Sequence, residues 1–168
     1  VISSALPNKV ESADAGKRVW IFPKSQRFST YLFSLHAGPY VKWESRFENI
    51  PLRLFARQSI AKYVPREEWF ETTKQGLKFY NEYFDYPYPF GKYDQIIVPD
   101  FNAGAMENVA AVTFSERFIS RGEPTRKEKL SLANVNLHEM AHMWFGNLVT
   151  MEWWTHLWLN EGFASFIE

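Results

Sequence analysis

Hydrophobic and polar positions follow a strand-like pattern in the first third of the chain. Short stretches rich in aromatic and β-branched residues are separated by proline and glycine, which interrupt regular structure. Residues 1–16 are small and polar, and their composition predicts a loop. The pattern then predicts four strands, over Arg18–Phe22, Ser29–Ala37, Tyr40–Phe47 and Ile50–Arg57.

The pattern changes to a helical period after residue 64. Large apolar residues recur at intervals of three or four, which predicts a helix from about Arg66 to Phe84, and Pro65 suits its first turn. Two short apolar runs predict further strands at Asp94–Val98 and Ala110–Phe114.

The last third of the chain is predicted to be helical. Thr125 and Glu128 have the spacing of a capping box, in which each side chain binds a free backbone amide of a helix start. A helix from about Arg126 to Leu148 is therefore expected, and a second helix should begin near residue 156 or 157.

These elements predict an α+β protein with two parts. Residues 1–48 are expected to be the end of a β-rich N-terminal domain, and residues 49–168 to be the first part of a second domain that mixes strands and helices. The first residue is not methionine and the last lies inside a predicted helix, so we expect the sequence to be an internal piece of a longer protein.

Composition narrows the possible functions. The chain has 168 residues with 19 basic and 19 acidic side chains, which argues against a nucleic-acid-binding protein because no excess of positive charge is present. The absence of cysteine excludes disulfides and thiolate metal sites. No uncharged apolar run reaches the length of about 18 residues that a membrane span requires. The compartment stays open, with a cytoplasmic location favoured over a cell-surface or secreted one.

The helix predicted from about Arg126 to Leu148 contains the sequence His138-Glu139-Met140-Ala141-His142. Histidines four residues apart lie on one helical face about one turn apart, so both imidazoles can reach one metal ion. Glu139 points about 100° away round the helix and would flank the metal without binding it. This arrangement places a carboxylate where it can take a proton from water beside the metal, as in metallopeptidases.

A catalytic zinc ion usually has three protein ligands and a water molecule, so a third ligand is needed. Glu161 is the best candidate, because 18 residues separate it from His142 and the last helix can return antiparallel to the first. Glu168 lies two turns further along the same face. It is expected either to accept a hydrogen bond from a ligand imidazole or to be an exposed surface charge.

The His138–His142 sequence followed by 18 residues and Glu161 resembles the aminopeptidase N family, the gluzincin exopeptidases. A second motif, Gly104-Ala105-Met106-Glu107-Asn108, agrees with that family. The resemblance covers about residues 45–168. Two flanking stretches are also similar to the family, Met143–Thr150 and Leu157–Phe163.

The resemblance implies a thermolysin-like catalytic domain that binds one zinc ion through His138, His142 and Glu161. It implies that Glu139 is the general base and that residues 104–108 form an edge strand beside the zinc. The backbone of that strand would align the peptide and Glu107 would bind its free amino group. The small side chains of Gly104 and Ala105 would allow the backbone to approach a ligand closely.

The expected activity is zinc-dependent removal of the N-terminal residue from peptides that have a free N-terminus. The family's oxyanion-stabilising tyrosine lies well beyond the third ligand, whereas the eight tyrosines of this sequence all precede the zinc motif. The piece alone is therefore expected to be weakly active or inactive. Residue preference and oligomeric state are not determined by the sequence.

Three other functions compete with this one. The leukotriene hydrolase branch of the family opens an epoxide with the same zinc site, but its members tend to have Gly-Gly where this chain has Gly104-Ala105. A thermolysin-like endopeptidase would not need Glu107. A non-catalytic homologue acting as a binding module usually loses a ligand or the base, and this chain keeps all four residues.

Overall fold

The computed structural model describes residues 1–168 and has seven strands and three helices. The strands are β1 (Lys9–Ser12), β2 (Arg18–Ile21), β3 (Tyr40–Phe47), β4 (Ile50–Arg57), β5 (Tyr93–Val98), β6 (Ala105–Met106) and β7 (Ala111–Ser115). The helices are α1 (Arg66–Tyr83), α2 (Arg126–Ala141) and α3 (Trp158–Ile167). The predicted α+β class is confirmed.

Five strands form one mixed sheet in the order β3-β4-β5-β7-β6, and β1 and β2 form a separate antiparallel pair. Strands β4, β5 and β7 are parallel neighbours, whereas β3 and β6 run antiparallel at the two edges. β5 and β7 are buried along almost their whole length, as expected for central strands covered on both faces. The short strand β6 is the last strand of the order and so forms one edge of the sheet. Residues 104–108, which belong to the candidate site, lie at this edge.

Strands β3 and β4 have the predicted bounds, and α1 ends one residue before its predicted end. Two predictions for the N-terminal third are wrong. The expected loop over residues 1–16 contains β1. The expected strand Ser29–Ala37 is instead a 3-10 turn at Thr30–Leu32 and one isolated bridge from His36 to Ile2. The Leu32 carbonyl accepts a hydrogen bond from a loop amide, so this segment binds a loop and not a strand.

Helix α2 also ends earlier than predicted, at Ala141 and not at Leu148. The amides of residues 142–145 bind carbonyls three or four residues back, whereas those of residues 147–149 bind carbonyls five residues back, with Asn147 N donating to His142 O at 3.0 Å, so the chain leaves the regular helical path. Gly146 has a φ of 124°, which side-chain-bearing residues rarely adopt, and it completes the reversal. Met143 and Trp144 in this turn are buried in the core. The apolar spacing of the helix therefore continues past its end, which is why the sequence predicted a longer helix.

A charge cluster around the fully buried Lys92 and Asp94 ties the start of β5 to the turn before β7. Lys92 Nζ donates to Asp94 Oδ2 at 2.7 Å and to the Ala110 carbonyl at 2.5 Å. Arg53 donates to both oxygens of Asp94. Burial lowers the pKa of Lys92 to about 8, although the charge of Asp94 acts in the opposite direction. The loop that contains residues 104–108 is thus fixed to the centre of the sheet.

The predicted domain boundary between residues 48 and 49 falls in the turn that joins β3 to β4. These two strands pair along their whole length. The assignment of residues 1–48 to a separate domain stays a prediction. None of the three helices has both the length and the apolar character needed to cross a membrane.

Helices α1 and α2 pack closely where α1 has a glycine. Tyr80 Oη donates to the Leu137 carbonyl at 3.0 Å across this contact. A Cβ added to Gly76 would lie 2.6 Å from Leu137 Cδ2 and 2.8 Å from Met140 Sδ. Met140 is fully buried, so it has little room to move. The absence of a side chain at residue 76 sets the distance between the helix that carries the histidines and the rest of the core.

We predict that Gly76→Ala destabilises the fold by about 1–3 kcal/mol, since overpacking outweighs the higher helix propensity of alanine. The matched control is Gly162→Ala in α3, where the added Cβ meets only Trp158 Cβ at 3.9 Å. The control should be neutral or more stable by up to about 1 kcal/mol. Urea unfolding of the protein and both variants measures the difference, and equal stability of the two variants would contradict the packing argument.

Candidate metal centre

Helix α2 carries two histidines at its C-terminal end. The predicted capping box begins this helix, with Glu128 N donating to Thr125 Oγ1 at 3.2 Å and Thr125 N donating to Glu128 Oε2 at 2.7 Å. His138 and His142 lie one turn apart, and their ring centroids are separated by 4.7 Å. Their Nε2 atoms are 3.1 Å apart and face the same point.

Helix α3 brings Glu161 to the two histidines. Its Oε2 lies 3.4 Å from His138 Nε2 and 3.6 Å from His142 Nε2. One potential ligand atom from each of the three residues lies within 4.8 Å of the others. His142 is buried and the Glu161 side chain is half exposed, so the cluster opens to solvent on the α3 side. The structure thus brings the three predicted ligands together, and their role as ligands stays a prediction.

The approach of α3 depends on the reversal that follows α2. Asn160 Oδ1 occupies the space that a Cβ at residue 146 would need, so Gly146 allows α3 to pack directly against the reversal. The rings of Phe145 and Phe163 stack beside this contact with centroids 4.8 Å apart. Glu161 follows Asn160 directly, so this packing also sets the position of its carboxylate.

The hydrogen bonds of the two rings define their tautomers. His142 Nδ1 lies 3.1 Å from the Phe145 carbonyl, and His138 Nδ1 lies 2.6 Å from Glu168 Oε2. Carbonyl and carboxylate oxygens only accept, so each Nδ1 carries a proton and each neutral ring presents an Nε2 lone pair. Two such lone pairs and a carboxylate oxygen repel each other unless a positive charge lies between them. The donor set of two imidazoles and one carboxylate fits a divalent ion such as zinc.

The electrostatics of the cluster favour positive charge. A hydrogen bond that the protonated His138 ring donates to Glu161 raises the pKa of His138 above its ordinary value. Burial lowers the pKa of His142, but the hydrogen bond that its protonated ring donates to Glu161 and the charges of Glu107 and Glu161 outweigh this effect and raise it overall. The same two histidines hold the pKa of Glu161 far below the usual range of a carboxyl. The two imidazoles therefore hold protons more strongly than free ones, while the Glu161 carboxylate stays negatively charged beside them.

Glu139 points into the interior beside the cluster. It is 5% exposed, and its Oε2 is buried without a hydrogen-bond partner. Burial raises the pKa of this carboxyl to about 8, and the nearby charge of Glu107 adds to the effect. Buried carboxylate oxygens without a partner are costly, so an unpaired one here indicates a position that a ligand or a water molecule completes. Glu139 is not one of the three clustered residues, although its carboxylate lies within 4.8 Å of ligand atoms of Glu107 and His142, and its role as general base stays a prediction.

Residues 104–108 run along the free edge of the sheet. Ala105 and Met106 form β6 and pair with β7 on one side only. The Gly104 carbonyl accepts a hydrogen bond from Ser115 N at 2.9 Å, which continues this pairing. A Cβ at residue 104 would lie 2.6 Å from Nη2 of the exposed Arg117 side chain. The predicted role of Gly104, close approach of the backbone to a ligand, stays a prediction.

Glu107 and Asn108 are both buried just after β6. The Glu107 carbonyl accepts a hydrogen bond from Asn147 Nδ2 at 2.8 Å, and its carboxylate lies within 4.8 Å of ligand atoms of Glu139 and His142. Asn108 accepts from Thr113 Oγ1 at 2.8 Å. Asn108 thus fixes the turn after β6, and Glu107 faces the cluster.

Sequence reasoning missed three side chains of this site. Asn160 Nδ2 lies 3.3 Å from Glu107 Oε1 and 3.2 Å from Tyr31 Oη, and Asn147 holds the Glu107 backbone. Asn160 directly precedes the predicted ligand Glu161, so that proximity was a usable signal. Tyr31 is 76 positions before Glu107 in a segment with a wrongly predicted strand, and no local pattern identifies it.

A cavity of ≈ 650 Å³ lies beside Tyr31 and Asn147, two residues that contact Glu107. It lies between residues 27–31 and residues 147–154, and both Tyr31 and Asn147 line it. Its volume lies in the range of small-molecule and peptide side-chain sites. None of His138, His142 and Glu161 lines this space, and its link to the site runs through Tyr31 and Asn147.

Comparison with a family profile and with individual proteins identifies the same family of peptidases. Residues 68–168 match the profile of the Peptidase family M1 domain. The chain is 47% identical over 154 residues to Aminopeptidase N of Streptomyces lividans, a match that covers 89% of this chain and 18% of that protein. It is 39% identical over 171 residues to Aminopeptidase M1 of Arabidopsis thaliana, covering 99% of this chain and 19% of that protein. The chain therefore spans about a fifth of the length of these relatives.

We predict that Glu161→Ala greatly weakens binding of Zn²⁺, because it removes one of the three convergent donors. Glu168→Gln should weaken binding by about 10- to 100-fold, since a ring-orienting partner of a ligand is typically worth that much. Competition with a chromophoric chelator measures both affinities.

Glu152→Gln is the matched control, since Glu152 is an exposed carboxylate in the segment between α2 and α3. It should bind Zn²⁺ like the unmodified protein. Unchanged affinity in Glu161→Ala would show that residue 161 is not a ligand.

Proposed function

The chain belongs to peptidase family M1, and we propose that the whole protein is a zinc-dependent aminopeptidase that removes the N-terminal residue from peptides. One observation carries this proposal. Two buried carboxylates, Glu139 and Glu107, flank a cluster of two histidines and a third carboxylate. A hydrolytic site that acts at a peptide N-terminus needs one carboxylate to move protons and another to bind an ammonium group, in addition to the metal ligands.

His138, His142 and Glu161 would hold the zinc ion. When bound, zinc supplies Lewis-acid catalysis, polarising a carbonyl and lowering the pKa of a water molecule. The exposed side of the cluster near Glu161 gives substrate and water access to this centre. Glu168 would keep the His138 ring in the tautomer that presents Nε2, through the hydrogen bond to Nδ1.

Glu139 would act as general base and then as general acid. When this carboxyl is ionised, which a bound cation nearby would favour, its free Oε2 can accept the proton of the attacking water, and the same carboxyl can return that proton to the leaving amine. Its buried position limits its access to bulk solvent, which keeps the proton at the reaction centre. The helix holds it next to His138 without placing it among the three ligands.

Glu107 would bind the ammonium group of the substrate. No arginine or lysine forms an ion pair with its buried carboxylate, so its negative charge is available to a cationic ligand. The edge strand β6 has one unpaired side, to which an extended peptide can add through backbone hydrogen bonds. Together they would fix the distance from the N-terminus to the first peptide bond, which gives an exopeptidase.

We predict that Glu139→Gln reduces kcat for an amino-acid anilide by at least about 100-fold, because general acid–base catalysis typically contributes 10²–10⁴. Metal content should be unchanged, since Glu139 is not one of the three proposed ligands His138, His142 and Glu161. The control is Glu82→Gln, an exposed glutamate on α1, which should retain full activity.

The measurement combines steady-state kinetics of the whole protein with metal analysis. Loss of metal in Glu139→Gln would assign residue 139 a ligand role in place of the base. Undiminished turnover would exclude residue 139 as the base.

We predict that Glu107→Gln lowers kcat/KM for peptides with a free N-terminus by about 10- to 100-fold, as expected for a lost hydrogen bond to a charged group. Activity on the matching N-acetylated peptides should be low in both proteins and should not fall further. Comparing the two substrates in the same variant separates amine recognition from general damage.

An endopeptidase would cleave acetylated peptides as well as free ones, and an epoxide hydrolase would act on an epoxide substrate. A binding module would hydrolyse neither class of substrate. Each of these results would contradict the proposed activity.

A further inference from the structure

The Glu107 carboxylate has only neutral hydrogen-bond donors. Both reach the same oxygen, Oε1: Asn160 Nδ2 at 3.3 Å and Tyr31 Oη at a long 3.5 Å. Asn160 Nδ2 also donates to Tyr31 Oη at 3.2 Å, so the three groups form a closed triangle. No hydrogen bond reaches Oε2 of Glu107, which leaves that oxygen for a ligand.

The direction of each hydrogen bond in this triangle is determined by the groups themselves. The amide nitrogen of Asn160 only donates and the carboxylate of Glu107 only accepts. The Tyr31 hydroxyl must therefore accept from Asn160 and point its proton at Glu107. Burial raises the pKa of Tyr31 to about 12, and the charge of Glu107 adds to this effect, so the hydroxyl keeps its proton.

The Tyr31 segment is held against the segment that carries Glu107. The Leu32 carbonyl accepts hydrogen bonds from Val109 N at 3.2 Å and from Asn108 Nδ2 at 3.4 Å. The Leu32 side chain is fully buried. The Tyr31 ring also packs against Trp154, with centroids 5.2 Å apart. The hydroxyl is therefore fixed at a defined place relative to Glu107 by contacts that do not involve the hydroxyl itself.

We propose that Tyr31 is a positioning residue for amine recognition, which orients the Glu107 carboxylate so that Oε2 meets a substrate ammonium group. The inference rests on the proposed function, because it assumes that Glu107 binds the amine. Asn160 completes the arrangement and connects it to α3, which also carries the predicted ligand Glu161. The amine-binding carboxylate and the metal centre thereby keep a fixed separation.

The test uses Tyr31→Phe in the whole protein, which removes the hydroxyl and keeps the ring contact with Trp154. Two inhibitors report on the site, an amino-acid hydroxamate and the corresponding hydroxamate without the amino group. The inhibition constant of the first should rise by about 10-fold, as for a weakened hydrogen bond to a charged group, and that of the second should not change. For a free-amine peptide KM should rise more than kcat falls.

Two controls separate this role from a structural one. Tyr83→Phe removes an exposed hydroxyl on α1 and should affect neither inhibitor. In a Glu107→Gln background, Tyr31→Phe should have no further effect, because the group that it orients has lost its charge. An equal loss of affinity for both inhibitors, no loss for either, or an effect additive with Glu107→Gln would overturn the inference.

The same measurements distinguish failure of this inference from failure of the proposed function. If the unmodified protein shows no preference for free amines, the proposed aminopeptidase activity is wrong and the role of Tyr31 with it. If the preference exists, and Glu107→Gln abolishes it while Tyr31→Phe retains it, only the role of Tyr31 is wrong.

Discussion

The packing of α3 against the reversal after α2 brings three lone-pair donors to one point. Asn160 takes the space that any side chain at Gly146 would fill, and Glu161 follows it directly along the helix. His138 and His142 are already adjacent on α2, so this single helix–turn contact decides whether a third donor joins them. The capping box and the close α1–α2 contact at Gly76 fix the position of α2 in turn.

The same region carries charge that the fold would be more stable without. Glu139 and Glu107 are both buried near each other, and one oxygen of Glu139 has no partner. Burying carboxylates that lack full hydrogen bonding costs free energy, so a protein under selection for stability alone would not retain them here. A bound cation and a positively charged ligand would each relieve part of this cost. The buried carboxyl groups of Glu139 and Glu107 are therefore both the source of this cost in stability and the groups that would carry the proposed chemistry.

Segments distant in the sequence combine to hold Glu107. The sheet edge provides its backbone, Asn147 from the reversal binds its carbonyl, and Asn160 and Tyr31 reach its carboxylate. The Lys92 cluster fixes the following turn to β5. A carboxylate supported from several sides keeps its orientation when the ligand arrives, which is the requirement for selecting one end of a peptide.

Local patterns determined a large part of this molecule. Strands β3 and β4, helix α1 and the capping box of α2 were predicted from the sequence, because propensity and packing agree in these elements. The spacing of His138, Glu139 and His142 also predicted which side of the helix each side chain lies on, because residues four apart share a helical face and adjacent residues do not. The end of α2 and the segment 29–37 were predicted wrongly, because loop contacts override apolar spacing there. Only the tertiary structure placed Tyr31 beside Glu107, because a contact between residues 76 positions apart depends on the path of the whole chain and leaves no local pattern.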